Sequence, residues 1–384
     1  MPPANLLHLT LSMGTGGIEN LILTMARHID QTRFNMTVGC LDSGGVLLDE
    51  VKNMGIDTFV LSRKGGFDIR LILNLASILR KKKIHVLHTH NQAAHFYGCL
   101  AGLLAGPPVI INTEHSRHYI DEHWRRRLEK RLLSFCTDRI VVVSKELQKK
   151  SISRDKLPEK KVEVVENGID LSLYMDDRGI KDYSTKSKLV HEFGMPQELK
   201  IVGIIGRLHP VKNHELLFRS IRSLIVDQKK IVSLLVVGDG ELRATLEKLA
   251  MTLGIENNVY FTGYRQDIPD ILSILDALVL CSHSEGLPLT LLESMAAGVP
   301  VIVTHGANKG GIVHDQVNGL IADSTVASLT AMLSRVLDGE FSEKLIKQAK
   351  ELVFHKFDIT ATVERYQCLY TDILNRKRRQ MNNH

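Results

Sequence analysis

The chain has 384 residues, of which 44% are hydrophobic and 24% charged, and it carries a net charge of +6 at neutral pH. These values exclude an extended disordered polymer, and the length exceeds what one ordinary core organises, so two domains are expected. The positive charge suits an anionic ligand, a nucleic acid or an acidic membrane surface, and composition alone does not choose among them.

Residues Met1 to Gly17 lack the basic start of a signal peptide and read as a strand running into a glycine loop. The strand is Leu6 to Leu11, Gly14, Gly16 and Gly17 form the loop, and Ile18 to Ile29 has helical periodicity. The GTGGIE pattern is not the spaced G-x-G-x-x-G fingerprint, which disfavours a nicotinamide cofactor; the glycines instead permit close backbone approach to a phosphate or sugar. Further strand and helix patterns alternate through strands 35–41, 58–61, 86–89, 109–113 and 139–143, which predicts a parallel sheet covered on both faces. Ligands collect at the carboxyl ends of such strands. There the sequence places His88, His90 and Asn91, then Glu114, His115 and Ser116, then Ser144 and Lys145.

The segment 124–135 repeats Trp124, Leu128, Leu132 and Phe135 at helical spacing among Arg125, Arg126, Arg127, Lys130 and Arg131. A basic amphipathic helix of this kind offers a peripheral contact with an anionic membrane, or a plain solvated face, and both readings stay open. The chain has no run of the roughly 18 to 20 apolar residues a membrane span needs. The five scattered cysteines, Cys40, Cys99, Cys136, Cys281 and Cys368, include no C-x-x-C pair and read as reduced thiols. A cytoplasmic protein is expected, with its membrane contact, if any, at the inner face.

After the turn Glu166-Asn167-Gly168-Ile169-Asp170, periodicity fades from 171 to 199, which predicts a domain crossing. A second alternating series follows, with strands 201–205, 232–237 and 259–261, and then Ala277 to Thr304 spells strand, loop, helix, strand. At that last junction stand Glu285, Gly286, Leu287, Pro288 and Leu289, ahead of a helix whose first amides form an anion site, with Glu293 two turns along. Helices are predicted at 325–338, 342–354 and 362–376, and the basic tail is expected to fray.

Glu285 to Glu293 resembles the E-x7-E signature of the retaining, GT-B-fold glycosyltransferases of family 4. The resemblance extends through Gly16-Gly17-Ile18-Glu19, Glu114-His115-Ser116, Val143-Ser144-Lys145 and Asn167-Gly168-Ile169-Asp170. It continues in Gly206-Arg207-Leu208 with Lys212, Val237-Gly238-Asp239-Gly240 and Phe261-Thr262-Gly263-Tyr264, and so covers nearly the whole chain. It implies an α/β chain of two Rossmann-like doubly wound domains facing across a cleft. Residues 1–172, completed by the helix 362–384, would bind the acceptor, and residues 173–361 the nucleotide sugar.

In that family the residues matching Arg207 and Lys212 clamp the diphosphate, whose negative charge grows as the glycosidic bond breaks. Charge-assisted hydrogen bonds of roughly 1.5 to 3 kcal/mol outweigh a helix dipole of about 0.3 to 2, so the cations should matter most. The resemblance assigns Glu293 to the ribose hydroxyls, Glu285 to the donor sugar, His115 to the neighbourhood of the anomeric centre, and Gly16, Gly17, Gly238, Tyr264, Gly286, Leu287 and Leu289 to the substrate walls. No D-x-D motif stands where it could bridge a diphosphate to a divalent ion, since Asp176-Asp177 falls in the expected linker, so no metal or other cofactor is expected. The chain departs from the family at Gly310-Gly311-Ile312-Val313-His314, where His314 stands in place of a glutamate, and contacts of that loop do not carry over.

The partners implied are a nucleotide-sugar donor, with a UDP-sugar favoured over a GDP-sugar, and a glycan or lipid-linked acceptor of cell-surface polysaccharide synthesis; nucleic acid is not among them. A GT-B-fold epimerase or phosphorylase and a silent sugar-nucleotide-binding module are the alternatives to a transferase.

Overall fold

Runs of β-branched and leucine residues that are buried on both faces make strands only where helices cover both sides of a sheet. In a computed structural model the described residues are 2–106, 108–115, 124–175, 183–196 and 199–382. They divide into two compact units, Met1–Gly168 with Ile359–His384, and Ile169–Asp358.

In the first unit the chain runs β1 (Ala4–Thr10), α1 (Gly17–His28), β2 (Phe34–Cys40), α2 (Val46–Asn53), β3 (Asp57–Val60), α3 (Ile69–Lys81), β4 (Val86–His90) and α4 (Gln92–Ala105). It continues through β5 (Val109–Glu114), α5 (Trp124–Cys136), β6 (Arg139–Val142), α6 (Lys145–Ser153) and β7 (Val162–Val164). All seven strands are parallel, in the order β3-β2-β1-β4-β5-β6-β7.

The second unit holds α7 (Tyr183–Glu192), β8 (Lys200–Ile205), α8 (His214–Arg222), β9 (Val232–Val237), α9 (Arg243–Leu253), β10 (Val259–Gly263), α10 (Ile268–Ile274) and β11 (Ala277–Leu280). After them come α11 (Leu289–Ala297), β12 (Val301–Thr304), β13 (Leu320–Ala322), α12 (Val326–Leu337) and α13 (Glu343–Lys356). Its six parallel strands lie in the order β10-β9-β8-β11-β12-β13. The last helix, α14 (Ile359–Asn382), belongs to the first unit, where Tyr366 and Tyr370 are fully buried.

In each sheet the chain winds outward from a central pair, β1 and β4 in one and β8 and β11 in the other, leaving a crevice at their carboxyl ends. Three stretches differ from the sequence reading. The basic tail expected to fray is helical, since α14 continues beyond 376 to Asn382. The span 171–199 is not featureless: it contains a 3-10 turn, Leu171–Tyr174, and α7, of which Leu189 and Val190 are buried. Strand β13, three residues long, is too short for alternation to reveal and exists because Ile302, Val303 and Thr304 offer it a ladder. Asp176 and Asp177 lie outside the described residues, as does Ser116.

Candidate active site

The switch point of the second unit collects charge. Beyond β8 the chain passes Gly206 and Arg207 to Lys212, and beyond β11 it passes Ser282 to Glu285. The two loops are pinned together. The Cys281 thiol donates to the carbonyls of Lys212 and Asn213 at 3.3 and 3.1 Å, and the His283 amide donates to the Val211 carbonyl at 2.8 Å. Lys212 Nζ consequently donates to Glu285 Oε1 at 2.6 Å, and Ser282 Oγ donates to the same oxygen at 2.6 Å. Both donors meet Oε1, leaving Oε2 without a hydrogen bond from the described residues. Arg207 is exposed and pairs with no carboxylate among the described residues, so its charge is available to an anion.

Gly238, after β9, has φ of 127°, and a Cβ there would lie 2.1 Å from the Gly206 carbonyl oxygen, so no side chain fits this crossing. Its amide donates to the Gly263 carbonyl at 2.8 Å, which brings the β10 end, and Tyr264 just beyond it, alongside the β9 loop. Gly286 is buried under the Gly310 loop, where a Cβ on Gly310 would stand 2.7 Å from the Gly286 carbonyl oxygen. Pro288 is the residue before α11, which starts at Leu289 without a side-chain cap; the Leu291 amide turns back to the Pro288 carbonyl at 3.2 Å, and the amides of Leu289 and Thr290 have no acceptor inside the helix. Leu287 is buried beside them. His314 is exposed; its amide donates to Asn318 Oδ1 at 2.7 Å and its carbonyl accepts from Val317 and Asn318, which makes it part of a turn.

The carboxyl of Glu293, on α11, makes no hydrogen bond with the side chains or backbone of the described residues. Desolvation pushes its carboxyl up to about 7. The phenol of Tyr174 is pushed above its usual range, first by burial and then by the Glu293 charge.

The switch point of the first unit holds histidines. His8 on β1 and His88 and His90 on β4 are all fully buried, and His115 follows β5. His8 Nδ1 lies 2.9 Å from His90 Nε2, and His90 Nδ1 lies 3.0 Å from His115 Nε2. His88 is tied elsewhere, with Nδ1 2.7 Å from the Tyr370 hydroxyl and Nε2 2.7 Å from Thr113 Oγ1. Desolvation keeps all four rings neutral: His8 is lowered to about 3, His115 to about 4, and His88 and His90 well below the usual histidine value. Ring nitrogens of His8, His88 and His90 lie within 4.8 Å of one another, close enough for a metal, but both nitrogens of His88 and both of His90 already face a hydrogen-bond partner.

Gly16 is the residue before α1, with an extended backbone, and a Cβ there would lie 2.3 Å from Glu19 Oε2; a Cβ on Gly17 would meet nothing within 4 Å. Glu114 is spoken for by Lys130 Nζ at 3.0 Å, both side chains being about nine-tenths buried at 10% and 8% exposure. Sequence reasoning singled out His115 but passed over His8, Ser282, Tyr366 and Tyr370, each of which looked like an ordinary core or loop residue, and it read Lys130 as part of a basic helix face rather than as the partner of Glu114.

Helix α5 is turned against its own pattern. Trp124, Leu128, Leu132 and Phe135 are 62%, 49%, 58% and 76% exposed, while Lys130, Leu133 and Ser134 face inward. No helix among the described residues is long and apolar enough to cross a membrane.

The second unit's switch point thus holds the Lys212–Glu285 pair and an arginine that pairs with no carboxylate among the described residues, and the chain is similar to known proteins of the same fold. Residues 15–173 match the family described as Glycosyltransferase Family 4, and residues 186–352 match Glycosyl transferases group 1. The chain is 26% identical to the UDP-Gal:alpha-D-GlcNAc-diphosphoundecaprenol alpha-1,3-galactosyltransferase of Escherichia coli, over 96% of this chain and 97% of that protein. It is also 26% identical, over 80% of each chain, to the N-acetyl-alpha-D-glucosaminyl L-malate synthase of Bacillus anthracis. Among solved structures it is similar to Anabaena Alr3699/HepE in complex with UDP and glucose, with a TM-score of 0.83, 19% identity, and coverage of 96% of this chain and 100% of that one. The chain belongs to the GT-B glycosyltransferases of family 4 type. It is a glycosyltransferase, and the matched families do not favour the epimerase, phosphorylase or silent-module alternatives.

Proposed function

We propose that the protein transfers a hexosyl group from a UDP-sugar to a lipid-linked or glycan acceptor, with retention at the anomeric carbon and without a metal ion, in the synthesis of a cell-surface polysaccharide or glycolipid. The observation that carries this reading is the pinned Lys212–Glu285 pair, whose lysine lies on the same loop as Arg207, which is exposed and pairs with no carboxylate among the described residues. The glycosidic C–O bond to the β-phosphate breaks, and Arg207 and Lys212 hold the charge that accumulates on the departing UDP. The acceptor oxygen bonds to the anomeric carbon on the same face, and its proton passes to the leaving phosphate oxygen. Glu285, through its open oxygen, accepts a hydroxyl of the donor sugar, Glu293 accepts the ribose hydroxyls, and His115 hydrogen-bonds a substrate oxygen. The Escherichia coli relative, whose name specifies UDP-Gal and a diphosphoundecaprenol acceptor, supports the choice of donor and acceptor class.

The test is a panel of UDP- and GDP-sugars assayed for slow hydrolysis and for transfer to polyprenyl-diphosphate sugars, with chelator present throughout. Turnover of a UDP-sugar is expected. Activity that dies with chelator and returns with magnesium or manganese would overturn the metal-free part, and neither binding nor turnover across the panel would overturn the transferase reading.

Glu293 makes nucleotide binding pH-dependent. Its folded carboxyl titrates near 7 and its ordinary value is 4.5, so its contribution to stability is complete below about pH 4.5 and is lost as the pH rises through 7. Ribose hydroxyls donate to the ionised form, so affinity for UDP is expected to tighten about tenfold between roughly pH 6 and 8. Calorimetry on the wild type and Glu293→Gln in parallel cancels titration of the nucleotide itself; identical slopes for the two proteins would remove Glu293 from the ribose site.

The outward apolar stripe and basic residues of α5 are assigned to an anionic membrane surface where a lipid-linked acceptor resides, at the cytoplasmic face. Trp124 is the single tryptophan of the chain, so its emission reports on this helix directly. A blue shift is expected with vesicles containing anionic lipid and not with zwitterionic ones. An unchanged spectrum with anionic vesicles would sink the assignment.

A further inference from the structure

The three rings His8, His90 and His115 form a single file, 2.9 and 3.0 Å apart, across β1, β4 and the end of β5. A neutral imidazole carries one N–H, so each ring that donates through one nitrogen must accept through the other. The file therefore has two fully bonded states. In one, His8 Nδ1–H donates to His90 Nε2, His90 Nδ1–H donates to His115 Nε2, and His115 is left with its proton on Nδ1. In the other every proton points the opposite way, and His8 carries its N–H on Nε2.

The far end of the file decides between them. His8 Nε2 is buried and has no hydrogen-bond partner among the described residues. A buried N–H with nothing to receive it is rarer and costlier than an under-used acceptor, so the second state is disfavoured. Burial keeps the rings neutral, which preserves the single-proton logic. His88 does not short-circuit the file, because its two nitrogens face Tyr370 and Thr113.

We propose that His8 and His90 are positioning residues that hold His115 as the Nδ1–H tautomer, so that His115 meets substrate as a hydrogen-bond donor rather than as a base. The inference rests on the assignment of His115 to the substrate, but the tautomer can be read without any turnover. The donor suits an oxygen that gains electron density, such as a sugar hydroxyl or phosphate oxygen, and it excludes proton abstraction at that nitrogen. His8 is thereby a residue that acts on the reaction through two others.

The experiment is a two-bond proton–nitrogen spectrum of the full chain labelled on the histidine rings, with His115→Gln used to identify the His115 signals. The wild type is expected to show a protonated Nδ1 and an unprotonated Nε2 on His115. A protonated Nε2 would overturn the proposal. His8→Phe removes the first donor and is expected to average the His115 tautomers and to lower kcat about tenfold with little change in donor KM. His8→Asn, whose amide can stand near the lost Nδ1–H, is expected to restore both. His115 signals unchanged in a folded His8→Phe protein would also overturn it. If the wild-type spectrum is as expected and His115→Gln keeps full activity, the relay stands and the catalytic assignment of His115 falls.

Discussion

Lys212→Ala is expected to lower kcat/KM on the order of 10²- to 10³-fold and to lower stability at the same time. Lys212 neutralises Glu285 at 2.6 Å, and in the proposed reaction it also lends charge to the departing diphosphate. The pair is well covered, with side-chain exposures of 23% and 13%, so deleting the lysine leaves a carboxylate held by Ser282 alone. Stranding a buried partner in this way costs roughly 3 to 5 kcal/mol, much of it because the charge left behind is uncompensated. That carboxylate then faces an incoming anion.

Arg207→Ala makes the contrast. It removes an exposed cation and strands nothing, so only the charge-assisted hydrogen bonds to phosphate are lost, which predicts tens to hundreds of fold at about 1.4 kcal/mol per tenfold. Urea midpoints should separate the two: Lys212→Ala shifts and Arg207→Ala does not. The double change Lys212→Met with Glu285→Gln should regain stability without regaining rate. A Lys212→Ala enzyme within a few-fold of wild type would remove the pair from the reaction.

Lys130→Met is expected to be the most damaging change for the fold outside either switch point, at about 3 to 5 kcal/mol. Its ammonium is the partner of Glu114, and Glu114 Oε2 already lacks a hydrogen bond among the described residues. Without Lys130 the whole carboxylate would sit uncompensated at the end of a central strand, one residue before His115. Neutralising both, with Lys130→Met and Glu114→Gln together, should recover most of the loss, since a buried pair replaced as a unit costs little. A Lys130→Met midpoint equal to wild type would contradict the buried-pair account. The same comparison shows why α5 lies as it does. Lys130 draws the helix in by its polar side, and the apolar stripe of Trp124, Leu128, Leu132 and Phe135 is left outside.

The parallel sheets were legible because their strands are buried on both faces and read as apolar runs ended by glycine or polar loops, as in Val232–Val237 and Val301–Thr304. Helix α7 was not, because Tyr183–Glu192 carries five polar or charged residues in its first six and owes its order to packing of Leu189 and Val190. The orientation of α5 was half legible: periodicity marked the stripe, but a helix wheel does not say which side meets the core. Lys130 settled that, by a charge that could be buried only opposite Glu114.

The chain's own order of residues specifies the strand ends and puts Arg207, Lys212, Glu285, Glu293 and His115 within or just after the elements that form those ends, since these are matters of local pattern. Which of them touch is a different matter. Lys212 meets Glu285 across 73 positions, and His8 meets His90 across 82, because parallel strands distant in sequence become neighbours only when the sheet closes. The free arginine, the half-used glutamate and the aligned histidines are products of that closure, and only the folded sheets reveal which side chain is spent on the fold and which is left for substrate.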